Sequence, residues 1–143
     1  MRYFTIADAE RLLPEVERLV REAVARKAEH DAAEDALKLQ LQRIQLAGGS
    51  IVDRSAILSL RSRREAAAHG VARSLHAADE LGVLVKDLQV GLIDFLTRYH
   101  DREVCLCWKL GEDRIRFWHS TEDGFRGRRR IDEEFRANHR GDD

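Results

Sequence analysis

The chain has 143 residues, with 25 lysines and arginines against 26 aspartates and glutamates, so its formal net charge is −1. This balance provides no global field that would attract nucleic acid or an anionic membrane. No apolar run approaches the roughly 18 residues of a membrane span, and the opening MRYFTIADAERLL lacks the apolar core of a signal peptide. We therefore expect a cytoplasmic protein with no membrane partner.

A strand candidate and a helix start open the chain. Residues 2–5 read RYFT, and Thr5 and Asp8 form a weak capping box for the helix that follows. Pro14 is the single proline, and inside a helix a proline removes one backbone hydrogen bond. We therefore expect the first helix to kink or restart near Leu13.

Apolar periodicity predicts two long helices, over about residues 16–47 and 54–81. A short connection at 48–50, which contains two glycines, makes the helices antiparallel neighbours, so a helical hairpin is expected over about residues 6–81. Alanines fill the middle of both apolar stripes and bury little area. This thin interior favours a second copy packed on the arms, and hence a homodimer.

From Gly82 onward the apolar period changes to two, which predicts an antiparallel β-meander over about residues 84–120. Its strand candidates are LIDFLTR from residue 92, VCLCWKL from residue 104 and IRFWH from residue 115, and Leu84 with Val85 adds a further one. The fold class is therefore α+β, a long antiparallel helical hairpin packed with a small antiparallel β-meander, in one domain over residues 1–131. Residues 132–143 are charged and aperiodic, so we expect a flexible tail.

Turn positions assign the meander side chains to faces. Two-residue turns at the centres of HDRE and GEDR set Asp94 opposite Lys109 and His119 opposite Leu106. On this register His119 ends the apolar face, whereas Asp94 lies on the other face. We therefore expect the sheet to separate these two side chains.

The two cysteines and His119 are candidates for chemistry. Cys105 and Cys107 share one strand face, where a C-x-C pair is about 6.5 to 7 Å apart, too far for one small ion. We favour small apolar fillers. His119 ends a strand and precedes the polar run STED, which suits a general base or a metal ligand. A rim histidine bonded to a backbone carbonyl or a carboxylate is the simpler interpretation, and we favour it.

A second candidate lies on the helices. His30 and Glu34 stand four positions apart on the first helix, and Glu65 and His69 four apart on the second. The hairpin brings the pairs within about one turn of each other, where two imidazoles and two carboxylates can bind a divalent metal. The alternative, which we favour, is solvated charged pairs on exposed helix faces.

Arginines enrich residues 126–130 and the second helix. No aromatic residues alternate with the helical arginines, and acids at 132–134 follow the C-terminal cluster. Nucleic acid is therefore disfavoured as a partner.

Several motifs carry a family resemblance. GLIDF at 91–95, CLCWKLGEDRIRFWH at 105–119, GFRGRRRI at 124–131 and the opening FTIADAERLLPEV are similar to those of the uncharacterised bacterial family DUF2203, over about residues 2–131. The resemblance implies a long helical hairpin with a small antiparallel sheet, and it brings no established activity, substrate or cofactor. Leu96 departs from the proline of many members, and Cys105 replaces another apolar residue.

The resemblance points to motif residues near the end of the sheet as ligand-binding candidates: Asp94, Trp108, Glu112, Trp118, His119 and Arg128. The charged ones would have to converge there, which the predicted register opposes. We expect a non-catalytic, cytoplasmic, homo-oligomeric interaction module, with an unidentified protein partner left open. The alternative is a metal- or small-ligand-binding protein, with or without enzymatic activity, that uses His119 or the helical histidine and glutamate pairs.

Overall fold

The computed structural model describes residues 1–48 and 53–142. Its helices are α1 (Ile6–Leu46), α2 (Arg54–Glu80) and the short α3 (Glu133–Asn138), with a 3-10 turn at Phe125–Gly127. Its strands are β1 (Leu84–Asp87), β2 (Leu92–Tyr99), β3 (Arg102–Lys109), β4 (Phe117–Ser120), β5 (Arg129–Arg130) and β6 (His139–Arg140). The expected α+β class, a long helical hairpin with a small antiparallel sheet, is confirmed. Residues 49 and 50 of the predicted connection lie outside the described residues.

The start of α1 follows the predicted capping box. The backbone N–H of Asp8 donates to Oγ1 of Thr5 at 3.1 Å, and the N–H of Thr5 donates to the Asp8 carboxylate at 3.5 Å. Residues 2–5 form no strand. The predicted break near Leu13 is also wrong, because α1 runs through Pro14 without interruption. Pro14 is exposed, so water can bind the backbone carbonyl that loses its N–H partner.

The chain divides into two compact units, of which Glu22–Ser74 contains the C-terminal part of α1 and the N-terminal part of α2. Here α1 and α2 approach closely. Arg64 Nη1 donates to Glu34 Oε2 at 3.1 Å, and a Cβ added at Gly70 would come within 2.8 Å of the side chain of Arg26. The small side chains predicted from the sequence therefore permit a close helix pair.

Residues 1–21 and 75–143 make up the other unit, which contains the sheet. The strand order is β1-β2-β3-β4-β5, with β6 also paired to β2, and every pairing is antiparallel. Alternate residues of β2 and β3 form a fully buried apolar row that includes Ile93, Phe95, Leu106 and Trp108. The edge of the Phe4 ring packs against Phe95, with the two ring centres 5.2 Å apart.

The first hairpin turns at His100 and Asp101, whose φ angles are 51° and 59°. Positive φ at both central residues is the geometry that matches the twist of a two-residue hairpin. This turn lies one position earlier than predicted. Asp94 therefore faces Cys107, and not Lys109 as predicted. The two-residue shift in partner leaves every side chain of β2 and β3 on its predicted face.

The second hairpin has a longer loop than predicted, and this changes the face of β4. The indole N–H of Trp108 donates to the carbonyl of Glu112 at 3.0 Å, and the Glu112 carboxylate accepts the N–H of Lys109 at 2.7 Å. His119 consequently pairs with Cys105 instead of Leu106. The predicted separation of Asp94 and His119 is wrong, because a shift of one residue moves a whole strand's side chains to the opposite face.

Residues 132–142 fold onto the sheet, so the flexible tail expected there is wrong. Asp132 caps α3 by accepting the N–H of Phe135, and the Phe135 ring is buried. Strand β6 pairs with the end of β2, and His139 Nε2 accepts the N–H of Ile6 at 3.0 Å. The charged composition of this segment indicated a flexible tail, but one buried aromatic ring and a few backbone pairings suffice to hold it on the sheet.

Over residues 1–48 and 53–142, neither long helix contains the stretch of apolar sequence that crossing a bilayer requires.

Candidate functional site

Three neighbouring strands bring Asp94, Cys107 and His119 together on one face of the sheet. Asp94 on β2 lies opposite Cys107 on β3, and His119 on β4 lies opposite Cys105 on β3. One ligand-type atom from each of the three residues lies within 4.8 Å of the other two. Asp94 is 1% exposed, Cys107 0% and His119 3%, so the sheet holds a polar cluster away from solvent.

Both ring nitrogens of His119 have partners. Nδ1 lies 2.7 Å from the carbonyl oxygen of Ser120, and Nε2 lies 3.0 Å from Oδ1 of Asp94. A carbonyl oxygen only accepts, so Nδ1 carries a proton and donates it. The hydrogen bond to Asp94, with a further contribution from one to Cys107, raises the pKa of His119 to about 10 although burial acts in the opposite direction.

Glu112 and Arg128 form a second charged pair beside Cys107. Arg128 Nη1 donates to Glu112 Oε1 at 3.2 Å and lies 4.0 Å from Sγ of Cys107. The guanidinium carbon lies 4.0 Å from the ring centre of Phe117 and 4.4 Å from that of Phe125. Cation–π attraction from both rings restricts where the guanidinium can move. Cys107 is therefore next to both charged pairs.

A pocket of about 800 Å³ opens beside the cluster. Asp94 and His119 line it, whereas Cys107 does not. Its wall is partly apolar, with Leu84, Leu92, Leu96 and Phe125. Charged side chains also line it, namely Arg2, Lys86, Asp79, Glu80 and Glu103. A concave apolar surface with a few converging polar groups is typical of a small-ligand site.

Cys105 lines the pocket two residues along the strand from Cys107. Burial raises the pKa of its thiol to about 12, and the nearby charge of Asp94 adds to the effect. The thiol is therefore neutral near pH 7. Both cysteines are free, and the favoured interpretation as small fillers fits Cys105 better than Cys107.

Four of the six ligand-binding candidates occur in the two charged pairs: Asp94 with His119, and Glu112 with Arg128. The two tryptophans lie on the opposite face of the sheet. Trp108 is buried with its indole N–H bonded to the loop, and the Trp118 ring stacks on Phe135 with ring centres 4.9 Å apart. Both tryptophans therefore have packing contacts on the face away from the pocket.

The helical candidates are not brought together as a group of ligands. Glu34 is paired with Arg64, and His30 Nδ1 lies 3.1 Å from a carboxylate oxygen of Asp31. Glu65 and His69 are exposed. Within the described ranges, 1–48 and 53–142, the group that satisfies the spacing for an ion is Asp94, Cys107 and His119.

Cys107 is the member of this group that the sequence pattern assigned to apolar packing instead of to a ligand set. Asp94 and Cys107 share a face in the predicted register as well as in the observed one, so strand alternation alone places them on one side. Whether His119 lies on the same face as Asp94 and Cys107 depends on the register of β4. That register depends on the loop contacts of Glu112, which no sequence periodicity indicates.

The sequence model of one protein family, described as "Uncharacterized conserved protein (DUF2203)", matches residues 2–131. No curated protein sequence and no solved structure matches the chain.

Proposed function

We propose that this chain, which belongs to the DUF2203 family, binds a divalent transition-metal ion of the zinc class through Asp94, Cys107 and His119. The observation that carries the proposal is the 3.0 Å approach of His119 Nε2 to Asp94 Oδ1, with the Cys107 thiol alongside. Nitrogen, sulfur and carboxylate oxygen are the donors that such ions prefer in proteins.

The tautomer of His119 explains why the short distance between its Nε2 and Asp94 Oδ1 supports metal binding. Because Nδ1 donates to Ser120, a neutral ring has a bare lone pair on Nε2 directed at a carboxylate oxygen. Two acceptors at hydrogen-bond distance need a positive centre between them, either a second ring proton or a metal ion. A backbone carbonyl on the other ring nitrogen is also the usual way in which proteins orient a metal-binding histidine.

The distances and charges suit the exchange of protons for an ion. Bonds of about 2.0 to 2.3 Å at tetrahedral angles place the ligand atoms roughly 3.3 to 3.7 Å apart. The present atoms lie 3.0 Å apart for His119 Nε2 and Asp94 Oδ1, and within 4.8 Å of one another for the whole group. An ion that replaces the second imidazole proton and the thiol proton of Cys107 adds two positive charges and removes two. The buried cluster therefore keeps the same total charge, which limits the desolvation cost of binding.

The test is metal binding by chelator-treated protein, measured with Co²⁺ and Zn²⁺. We expect one ion per chain and a sulfur-to-cobalt charge-transfer band in the near ultraviolet. Cys107→Ser and His119→Gln should each weaken binding about 100-fold or more, whereas His76→Gln, an exposed histidine of the same unit, should change nothing. Equal binding by wild type and the Cys107→Ser/His119→Gln double variant would contradict the proposal.

A reducing compartment suits this function, because a free thiol persists there as a ligand. We accordingly propose a cytoplasmic location.

Homodimer formation through the helical hairpin is a second candidate, as a non-catalytic interaction module. It is supported by large apolar side chains on the two helices that are between 49% and 89% exposed: Leu39, Leu41, Leu46 and Leu58. A groove of about 740 Å³ between the helices is walled by small residues and bordered by Glu22, Arg26 and Glu29 on α1 and by Arg63 and Arg73 on α2. Arg26 donates to Glu29 at 3.1 Å. A second copy related by a twofold axis along the hairpin sets acids opposite arginines.

Analytical ultracentrifugation tests this candidate. A dimer at micromolar concentration is expected, and Arg63→Glu/Arg73→Glu should dissociate it. Arg61→Glu, on the same helix but outside the groove, is the matched control. A wild-type monomer at 100 micromolar would rule the dimer out.

A further inference from the structure

We infer that the ion at Asp94, Cys107 and His119 keeps one coordination position open to the adjacent pocket, and that this position takes a small organic anion with an apolar body. This inference rests on the proposed function. A zinc-class ion prefers four ligands, and sites with three protein ligands leave the fourth position for water or substrate. Asp94 and His119 line the pocket of about 800 Å³, whereas the fully buried Cys107 lies behind them.

The neighbouring side chains do not supply a fourth ligand. Cys105 lies close to Asp94 but is outside the group of atoms that all lie within 4.8 Å of one another. It is two residues from Cys107 along β3, which corresponds to about 6.5 to 7 Å. Its side chain lines the pocket instead. The carboxylate of Glu112 is bonded to Arg128 and to the N–H of Lys109, and that of Glu103 accepts the hydroxyl of Tyr3 at 2.7 Å.

The pocket wall determines the class of ligand. Leu84 is paired with Asp94 across β1 and β2, so an apolar side chain adjoins the metal ligands directly. Leu92 and Leu96 extend this wall along β2. The charged residues of the lining are two cations, Arg2 and Lys86, and three acids, Asp79, Glu80 and Glu103. Two of the acids have partners, because Glu80 lies 3.6 Å from His76 and Glu103 accepts the hydroxyl of Tyr3. A carboxylate can therefore place one oxygen on the ion, the other towards Lys86 and its carbon body on the leucines.

The experiment is a titration of Co²⁺-loaded protein with benzoate and with acetate, followed in the visible d–d bands of the ion. Both anions should shift the bands with saturation. Benzoate should bind about tenfold more tightly or better, because its ring covers apolar wall that acetate does not reach. Leu84→Ala should weaken benzoate about threefold to tenfold without weakening Co²⁺. Leu88→Ala, a half-buried leucine outside the pocket, should leave both affinities unchanged.

Two results overturn the inference and are distinguishable from each other. Bands that do not respond to saturating benzoate, with loss of charge-transfer intensity in Cys105→Ser, would identify Cys105 as the fourth ligand of a closed site, and the proposed metal function would stand. Failure of the protein to bind Co²⁺ at all would overturn the proposed function and this inference together.

Discussion

Asp94 and His119 belong to strands that are not neighbours in the sheet, yet their side chains meet at 3.0 Å. The strand between them carries only Cys105 and Cys107 beneath this contact. Adjacent strands are about 4.8 Å apart, so the two side chains must span two such spacings. Small cysteine side chains on β3 leave room for this contact, and larger residues at those positions would separate the pair.

The buried pair should show strong coupling in metal-free protein. Asp94→Asn and His119→Gln each leave one partner without its charge-assisted hydrogen bond, so each should lower the free energy of unfolding by about 3 kcal/mol. The double variant should cost less than the sum, with a coupling energy of about 1 to 3 kcal/mol in urea unfolding with a chelator present. The exposed pair Glu17 and Arg21 is the control, and its coupling should stay below about 0.5 kcal/mol. Additive effects at Asp94 and His119 would show that the pair is not a unit.

The same pair predicts that metal-free protein loses stability in alkaline solution. The pKa of His119 is raised to about 10 in the folded state, from an ordinary value near 6.5. A raised pKa contributes stability that is fully present below the unfolded value and is lost as the pH rises through the folded value. Between about pH 7 and pH 10 the titration of His119 should therefore lower the free energy of unfolding by at most about 1.4 kcal/mol per pH unit.

Urea unfolding at several pH values across this window, compared with His119→Gln, measures the effect. The variant should show a flatter profile because it lacks the titrating group. Parallel profiles would exclude His119 as the source of the pH dependence.

Arg128 should resist even conservative replacement. Its planar guanidinium contacts two aromatic rings and the Glu112 carboxylate at once, which an ammonium on a flexible chain cannot reproduce. Arg128→Lys should lower the free energy of unfolding by about 1 to 2 kcal/mol. The exposed Arg126 is the control, and Arg126→Lys should change stability by less than about 0.5 kcal/mol. A similarly small effect at Arg128 would show that the stacked arrangement adds little.

Phe135 should anchor the C-terminal segment. Its ring is buried against Trp118 and Tyr99, at ring-centre distances of 4.9 and 4.6 Å. Phe135→Ala should therefore destabilise the protein by about 3 to 5 kcal/mol and speed amide exchange in β6. Arg136→Ala, an exposed neighbour on α3, should be nearly neutral. Rapid amide exchange throughout 132–142 in the wild type would contradict the packed position of this segment.

The sequence by itself determined the two long helices and the main strands of the sheet. Apolar periods of 3.6 and 2 predicted α2, the end of α1 and the three main strands to within a few residues, because each depends on local alternation and on burial of one face. The capping box at Thr5 was equally local. Strand alternation also placed Asp94 and Cys107 on one face correctly.

Tertiary structure decided the cluster. His119 joins Asp94 only because a loop held by Glu112 shifts β4 by one residue, and a strand's face changes with every single-residue shift. The continuity of α1 through Pro14 depends on solvent access to the exposed side of the helix. The packing of residues 132–142 on the sheet depends on partners that are distant in the chain. Periodicity reports which residues alternate, whereas register, and with it the site, depends on contacts between residues far apart in the chain.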